Sequence, residues 1–429
     1  MTFHDDLARA AAWVEGYLAG VRERPVSPST EPGELTGLLP TSAPEEGEPF
    51  EAILRDLDEL IVPRLAQWNH PRFFAWFANT GSEPGILAEL LIATLNANAM
   101  TWLASPAATE LELLVCRWLA ELLGLPGGWH GHIEDTASTS TVAALAAART
   151  LRPGGVVYAS EQANFTVEKA ARLVGLRYQA VEVDDDFRMR PDFPLDDATA
   201  VVATVGTTGT TSVDPLPELA SRCVEAGVWL HVDAAYAGSA AVCPEHRWCL
   251  RGVELADSIV VNPHKWLFTP LDCSVLWTRK PEALHAAFAA RPEYLASTEG
   301  AIDLKDYGPA LGRRFRALKL WLVLRMYGRE GLRSAIREHV RLAQLFASWL
   351  EDEPGWEIVA PHRFSTVCFR HAGSDNFELA RAATATGETF VAATTLRGAD
   401  AIRLAIGNGA TTENDVRRTW EVLRECVAA

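Results

Sequence analysis

Apolar residues recur at helical spacing in two stretches near the start, residues 7–21 and 53–68, with a Pro-, Ser-, Gly- and Glu-rich break at 25–49 between them. A third helical pattern covers 107–123, where Leu111, Leu114, Val115, Trp118, Leu119 and Leu122 repeat on one face. The middle of the chain changes period. Short β-branched runs occupy 155–159, 178–183, 200–205, 228–232, 258–261 and 274–277, and helical stretches at 141–149, 167–174 and 216–226 separate several of them. Continuous apolar strands alternating with helices predict an α/β fold with a mostly parallel central sheet covered on both faces. Beyond Lys319 come a long amphipathic helix, short strands at 357–359, 367–370 and 402–405, and a closing helix at 413–426. The expected organisation is an N-terminal helical segment (1–80), a large α/β domain (81–318) and a small α+β domain (319–429). The first piece is too small to hold a core alone, so it is expected to pack on another domain or subunit.

Composition narrows the class. The chain has 429 residues, 48% of them hydrophobic and 22% charged, which excludes disorder and a disulfide-stapled miniprotein. Asp and Glu outnumber Lys and Arg by 56 to 39, and a net charge of −17 repels nucleic acid and anionic membranes. No apolar run approaches the roughly 18 residues of a membrane span. The start, Met1-Thr-Phe-His-Asp-Asp, lacks the basic and apolar regions of a signal peptide. Seven scattered cysteines without CxxC spacing suggest reduced thiols, a cytoplasmic setting and no zinc site.

Ligands of parallel sheets bind at the carboxyl ends of the strands, so residues just after each apolar run carry the chemistry. In Val261-Asn-Pro-His-Lys265-Trp-Leu-Phe, a lysine follows a strand among apolar neighbours, where desolvation lowers its pKa as a Schiff-base amine requires. Alone it reads as an ordinary surface lysine. In Leu230-His-Val-Asp233-Ala-Ala-Tyr-Ala-Gly, a carboxylate ends another strand and suits a pyridinium nitrogen, although a structural Asp fits equally. Asp135-Thr-Ala-Ser138-Thr-Ser-Thr141 opens a helix with small hydroxyl residues, a seat for a phosphate or a plain N-cap.

Taken in order, phosphate seat, ring-nitrogen carboxylate and Schiff-base lysine match a pyridoxal 5′-phosphate (PLP) enzyme. Over nearly its whole length the sequence resembles the group II PLP-dependent amino acid decarboxylases, the aromatic L-amino acid decarboxylase family. The motifs are Asn69-His-Pro-Arg-Phe-Phe-Ala-Trp-Phe, Trp102-Leu-Ala-Ser-Pro-Ala-Ala-Thr-Glu, Gly206-Thr-Thr, His231-Val-Asp-Ala-Ala-Tyr-Ala-Gly, Asn262-Pro-His-Lys-Trp and Leu311-Gly-Arg-Arg-Phe-Arg. The resemblance implies fold type I of the PLP-dependent transferases, the aspartate aminotransferase-like fold. It implies that Lys265 forms the Schiff base beside His264, that Asp233 pairs with the ring nitrogen, and that Ala235 packs under the ring. Ala137, Ser138 and Asn262 fall on phosphate positions and Thr208 near the cofactor or substrate. Tyr294 matches the loop tyrosine that protonates the substrate carbon after CO2 leaves. Trp68, Trp76, Phe77, Asn79, Asn98, Met100 and Leu271 fall on side-chain pocket positions. Some of these come from the partner subunit in the family, which implies a homodimer with shared active sites acting on a small-molecule substrate, an aromatic amino acid.

The sequence departs from that family in three places, one of them the pocket, where Asn79 and Asn98 are more polar than the residues usual there. Where the family stacks a histidine on the ring, this chain has Asn164, which neither titrates near neutral pH nor stacks as an aromatic. Insect relatives with asparagine there resemble aldehyde synthases, which combine decarboxylation with oxidative deamination by O2. The loop after Tyr294 is also shorter, with Lys305 in the place of an arginine. No carboxylate-clamping arginine of an aminotransferase is evident near the C-terminus, Arg403 being the one candidate.

Overall fold

The computed structural model describes residues 2–77, 79, 81–290 and 300–428. Its central sheet has seven strands: β1 (His130–Glu134), β2 (Val156–Ser160), β3 (Arg177–Val181), β4 (Ala198–Thr204), β5 (Trp229–Asp233), β6 (Ser258–Val261) and β7 (Ser274–Thr278), in the order β1-β7-β6-β5-β4-β2-β3. Pairing from β6 through β5, β4 and β2 to β3 is parallel, and β7 runs antiparallel to both β6 and β1. The apolar runs foresaw six of these strands. β1, His-Gly-His-Ile-Glu, carries one large apolar residue and gives no such run.

Alternation along the strands divides the interior into two cores. Val201, Ala203, Leu230, Val232, Ile259 and Val261 pack with Leu119 and Leu320 on one face. Ala200, Val202, Val157, Ala159, Val260 and Leu276 pack with Ala143, Ala144, Ala147 and Ala148 on the other. Both faces are therefore dry. The small alanines of the helix Ala137–Leu151 bring its axis close to the sheet and aim its first turn at the strands' carboxyl edge.

A helix from Arg316 to Asp352, interrupted at Gly328 (φ 63°), leads to a second sheet in the order β10-β11-β9-β8. Its strands are β8 (Trp356–Ile358), β9 (Thr366–His371), β10 (Ala392–Leu396) and β11 (Ala399–Ala405), all paired antiparallel. Near the N-terminus, the helical pattern at 53–68 resolves into Phe50–Asp56, a wider turn at Leu57–Ile61 and a tighter one at Val62–Arg64. Pro63 ends the regular ladder there, and Trp68 lies beyond it. No helix among the described residues is long and apolar enough to cross a membrane.

One buried ion pair ties the 311–316 motif to the sheet. The Arg313 guanidinium donates to Glu112 Oε1 at 2.5 Å and to the Ile133 carbonyl at 2.8 Å, and Glu112 Oε1 also accepts the Ile133 N–H. Arg313→Ala strands a carboxylate in the interior and is expected to cost about 3–5 kcal/mol of stability. Chemical denaturation with an unmoved midpoint would contradict that.

Candidate active site

The carboxyl ends of β2, β4, β5 and β6 open together into a cavity of about 400 Å³. β5 ends on Asp233, β6 runs into the turn holding Asn262, His264 and Lys265, and β4 is followed by Gly206 and Thr208. Asn164 lies four residues past the end of β2, and the helix carrying Ala137 and Ser138 starts at the rim. Trp68, Trp76, Phe77, Asn79 and Leu271 complete the wall. The helix start at 137–138, the Gly206, Asp233 and Lys265 motifs and the 69–77 segment thus meet in one place, while the 102–110 and 311–316 motifs lie outside it. Gly206 makes the approach possible: its φ is +88°, and a Cβ there would stand 2.5 Å from that of Ala237.

Burial sets the charge states. Asp233 accepts the Ala235 N–H at 3.1 Å, and desolvation lifts its carboxyl above the ordinary range while nearby Lys265 pulls it back down. The same desolvation, joined by the Arg403 guanidinium, pushes the Lys265 ammonium below its usual value, with Asp233 opposing. Lys265 Nζ sits 5.2 Å from the centre of the Phe77 ring, and among the described residues no hydrogen bond or ion pair holds it. It is an amine ready to lose its proton.

His264 is held neutral, its pKa pushed down to about 3 chiefly by burial. Its Nδ1 accepts the Cys273 N–H at 2.9 Å, so Nε2 carries the proton and needs an acceptor. Nε2 lies 3.2 Å from Asn262 Nδ2, which sets two donors face to face, so exchanging the oxygen and nitrogen of that amide gives the ring the acceptor it needs. The other Asn262 amide atom is buried without a partner. Asn164 is fixed from two sides: its Nδ2 donates to Thr208 Oγ1 and its Oδ1 accepts the Thr166 N–H, each at 3.1 Å.

Asn98 and Met100, both expected at the pocket, do not line this cavity. Asn98 accepts the Arg313 N–H and donates to Met100 Sδ, away from Lys265. Tyr294 lies outside the described residues. Lys305 is buried, paired to Asp306 at 2.6 Å and donating to the Ala290 carbonyl. Three residues add to the site beyond the pocket positions. Tyr236 stacks on Phe77 with ring centres 3.9 Å apart, Phe165 lines the mouth, and Arg403 packs 4.9 Å from the Phe77 centre. Arg403 is buried with Nε and Nη2 unpartnered. Tyr236 lies within the motif at 231–238, and Arg403 is the arginine considered above only as a carboxylate clamp; its place beside Phe77 has no local signal.

Comparison with known proteins decides the family. Residues 32–372 match the model of the pyridoxal-dependent decarboxylase conserved domain. The chain belongs to the pyridoxal-dependent decarboxylase family. This decarboxylase is 40% identical to an aromatic-L-amino-acid decarboxylase of Bos taurus, over 97% of this chain and 94% of that one. It is 38% identical to a phenylacetaldehyde synthase of Arabidopsis thaliana, over 96% and 93%. Among solved structures, Oryza sativa TDC with PLP and tryptamine superposes with a TM-score of 0.96 at 36% identity, covering 99% of this chain and 97% of that one.

The decarboxylase is a carboxy-lyase whose cofactor is PLP, and its cavity suits that group. The helix Ala137–Leu151 has no side-chain cap on its first N–H groups, which leaves them for a phosphate. The partnerless amide atom of Asn262 offers a further donor, Asp233 a buried carboxylate, and Ala235 a small floor.

Proposed function

We propose that this enzyme decarboxylates an aromatic L-amino acid to the corresponding amine and CO2. The observation that carries the reading is the aromatic wall of the cavity. Trp68 and Trp76 stack with ring centres 5.5 Å apart and 18° between planes, and Phe77 adds a third flat surface. Flat rings gain offset-stacking energy on such walls. Among the described residues lining the cavity, Lys265 is the one Lys or Arg, and the other cation near the wall, Arg403, packs 4.9 Å from the centre of the Phe77 ring, where it meets an aromatic face. Cytoplasmic location and a homodimer belong to the same proposal. All seven cysteines are free. The helix Glu83–Leu95 leaves Leu87, Leu90, Leu91 and Leu95 each at least 45% exposed, an apolar face that a second copy would cover. In such a dimer Asn98 and Met100 serve the partner's cavity. Sedimentation equilibrium should give twice the chain mass.

When bound, PLP supplies an aldehyde that condenses with amines and a ring that accepts the electron pair released with CO2. The chain's own groups do the rest. The N–H groups of Ala137 and Ser138 and the Asn262 amide hold the phosphate. Asp233 keeps a proton on the ring nitrogen, because a cation there relieves its own desolvation. Lys265 yields a neutral amine, Ala235 leaves room under the ring, and neutral His264 braces Asn262. Tyr294 returns the proton to Cα.

A second reading rests on Asn164. Its amide, tied to Thr208 and Thr166, has no proton that titrates near neutral pH, and a relative 38% identical to this chain is named phenylacetaldehyde synthase. In that reaction the amino acid, O2 and water give arylacetaldehyde, CO2, ammonia and H2O2. Product analysis by mass spectrometry separates the two readings, using a panel of aromatic amino acids with and without air. The proposal expects amine and CO2 in equal amounts with no O2 uptake; aldehyde with stoichiometric peroxide establishes the second reading instead.

A further inference from the structure

The wall of the cavity continues into the protein as a stacked column. Phe77 lies on Tyr236 (3.9 Å between centres, 15°), and Tyr236 lies on Trp266 (4.9 Å, 13°). Trp266 is fully buried and directly follows Lys265. The Tyr236 hydroxyl fixes the middle of the column through Ser365 Oγ at 2.5 Å. The deep end is fixed differently. Trp266 Nε1 donates to His339 Nδ1 at 2.9 Å, and His339 Nε2 lies 3.0 Å from the Asn408 carbonyl.

An indole N–H only donates and a carbonyl only accepts, so these two contacts require one tautomer: Nδ1 bare, Nε2 protonated. Burial enforces the neutral ring, pushing the His339 pKa down to about 4. Phe268 meets the same imidazole edge to face at 5.8 Å. From Asn408 the chain of bonds goes on: its Nδ2 donates to the Asn69 carbonyl at 2.8 Å, and Asn69 Oδ1 accepts the Gly81 N–H at 3.0 Å. Asn69 and Gly81 bracket the loop that carries Trp76, Phe77 and Asn79. His339 therefore links both supports of the wall, the column directly through Trp266 and the loop through Asn408 and Asn69.

We propose that His339, on the long helix and outside the cavity, is a positioning residue that sets the aromatic wall for the substrate ring by bridging Trp266 to Asn408. The inference rests on the aromatic reading of the pocket. Glutamine can accept from Trp266 and donate to Asn408, whereas leucine can do neither. Losing the bridge leaves a buried indole N–H unsatisfied, which tilts the column to find a partner.

The test uses the PLP-loaded enzyme. His339→Leu is expected to raise KM for the preferred aromatic amino acid roughly fivefold, equivalent to about 1 kcal/mol, with kcat within about twofold. His339→Gln should restore the wild-type KM. Trp266→Phe keeps the stacked ring and removes the donor; it should raise KM similarly, and the double variant should be no worse than either single one. A readout independent of turnover is the Trp266 indole N–H signal in NMR, assigned by its loss in Trp266→Phe. It should be hydrogen-bonded and slow to exchange in wild type and His339→Gln, and shifted in His339→Leu. A lowered melting temperature with unchanged KM, or additive KM effects, overturns the inference while leaving the decarboxylase reading intact. A wild type that turns over no aromatic amino acid sinks that reading instead, and an indole signal unmoved in His339→Leu then overturns the bridge by itself.

Discussion

Lys265→Ala enzyme is expected to form product slower by on the order of 10³–10⁶-fold, with the fold intact by circular dichroism. The expectation comes from the geometry at the end of β6. Lys265 is brought to the carboxyl edge by a turn whose other members are buried, and its amine lies near Asp233 and the Phe77 ring with no ion pair among the described residues to hold its proton. Desolvation lowers its affinity for the proton, which is the property a condensing amine needs and a surface lysine lacks. Lys265→Arg is the sharper control. Guanidinium keeps the charge, remains protonated at any working pH and cannot condense with an aldehyde. If charge alone mattered, Lys265→Arg would retain activity; the account predicts that it is as dead as Lys265→Ala, by steady-state assay with excess PLP.

Asp233→Asn is expected to slow decarboxylation by roughly 10³-fold. Two unit charges about 4 Å apart at an effective dielectric of 20 are worth about 4 kcal/mol, or three decades of rate if the interaction is realised only with the ring cationic. Asparagine keeps the acceptor for the Ala235 N–H, so the β5 turn should survive. Stability should move the other way. The Asp233 carboxyl in the fold lies above its ordinary value because burial disfavours its charge. A raised carboxyl makes the ionised side chain a cost to folding above its unfolded pKa, and a neutral amide removes that cost. Without PLP, the variant's melting temperature at neutral pH is therefore expected to equal or exceed that of wild type. A fall in both rate and melting temperature would mean that Asp233 serves the fold rather than the ring.

Much of this site was legible in the sequence for a physical reason. Parallel strands buried on both faces must be continuous apolar runs, so β2, β4, β5 and β6 announce themselves, and ligand chemistry collects where such runs stop. Asp233, Lys265 and the Ala137–Ser138 helix start each lie within a few residues of a run's end. What escaped has no such mark. β1 is hidden because its register against β7 buries His132 and Glu134 through side-chain contacts rather than by apolar content. The reversed direction of β7 is a property of connection, not composition. Arg403 reaches Phe77 only because β11 pairs with β9 in a sheet formed from the last third of the chain. Asn98 and Met100 sit beside Arg313 rather than Lys265, which distance along the sequence cannot reveal.

The central claim is that one amine, on Lys265, receives the cofactor. Borohydride reduction of the PLP-loaded protein, followed by tryptic mapping, tests it directly. A pyridoxyl-modified Lys265 resists cleavage, so the account predicts one labelled peptide spanning residues 252–279 and carrying the phosphopyridoxyl mass. A label on any other lysine, or cleavage after Lys265 in fully reduced, PLP-saturated protein, would contradict it.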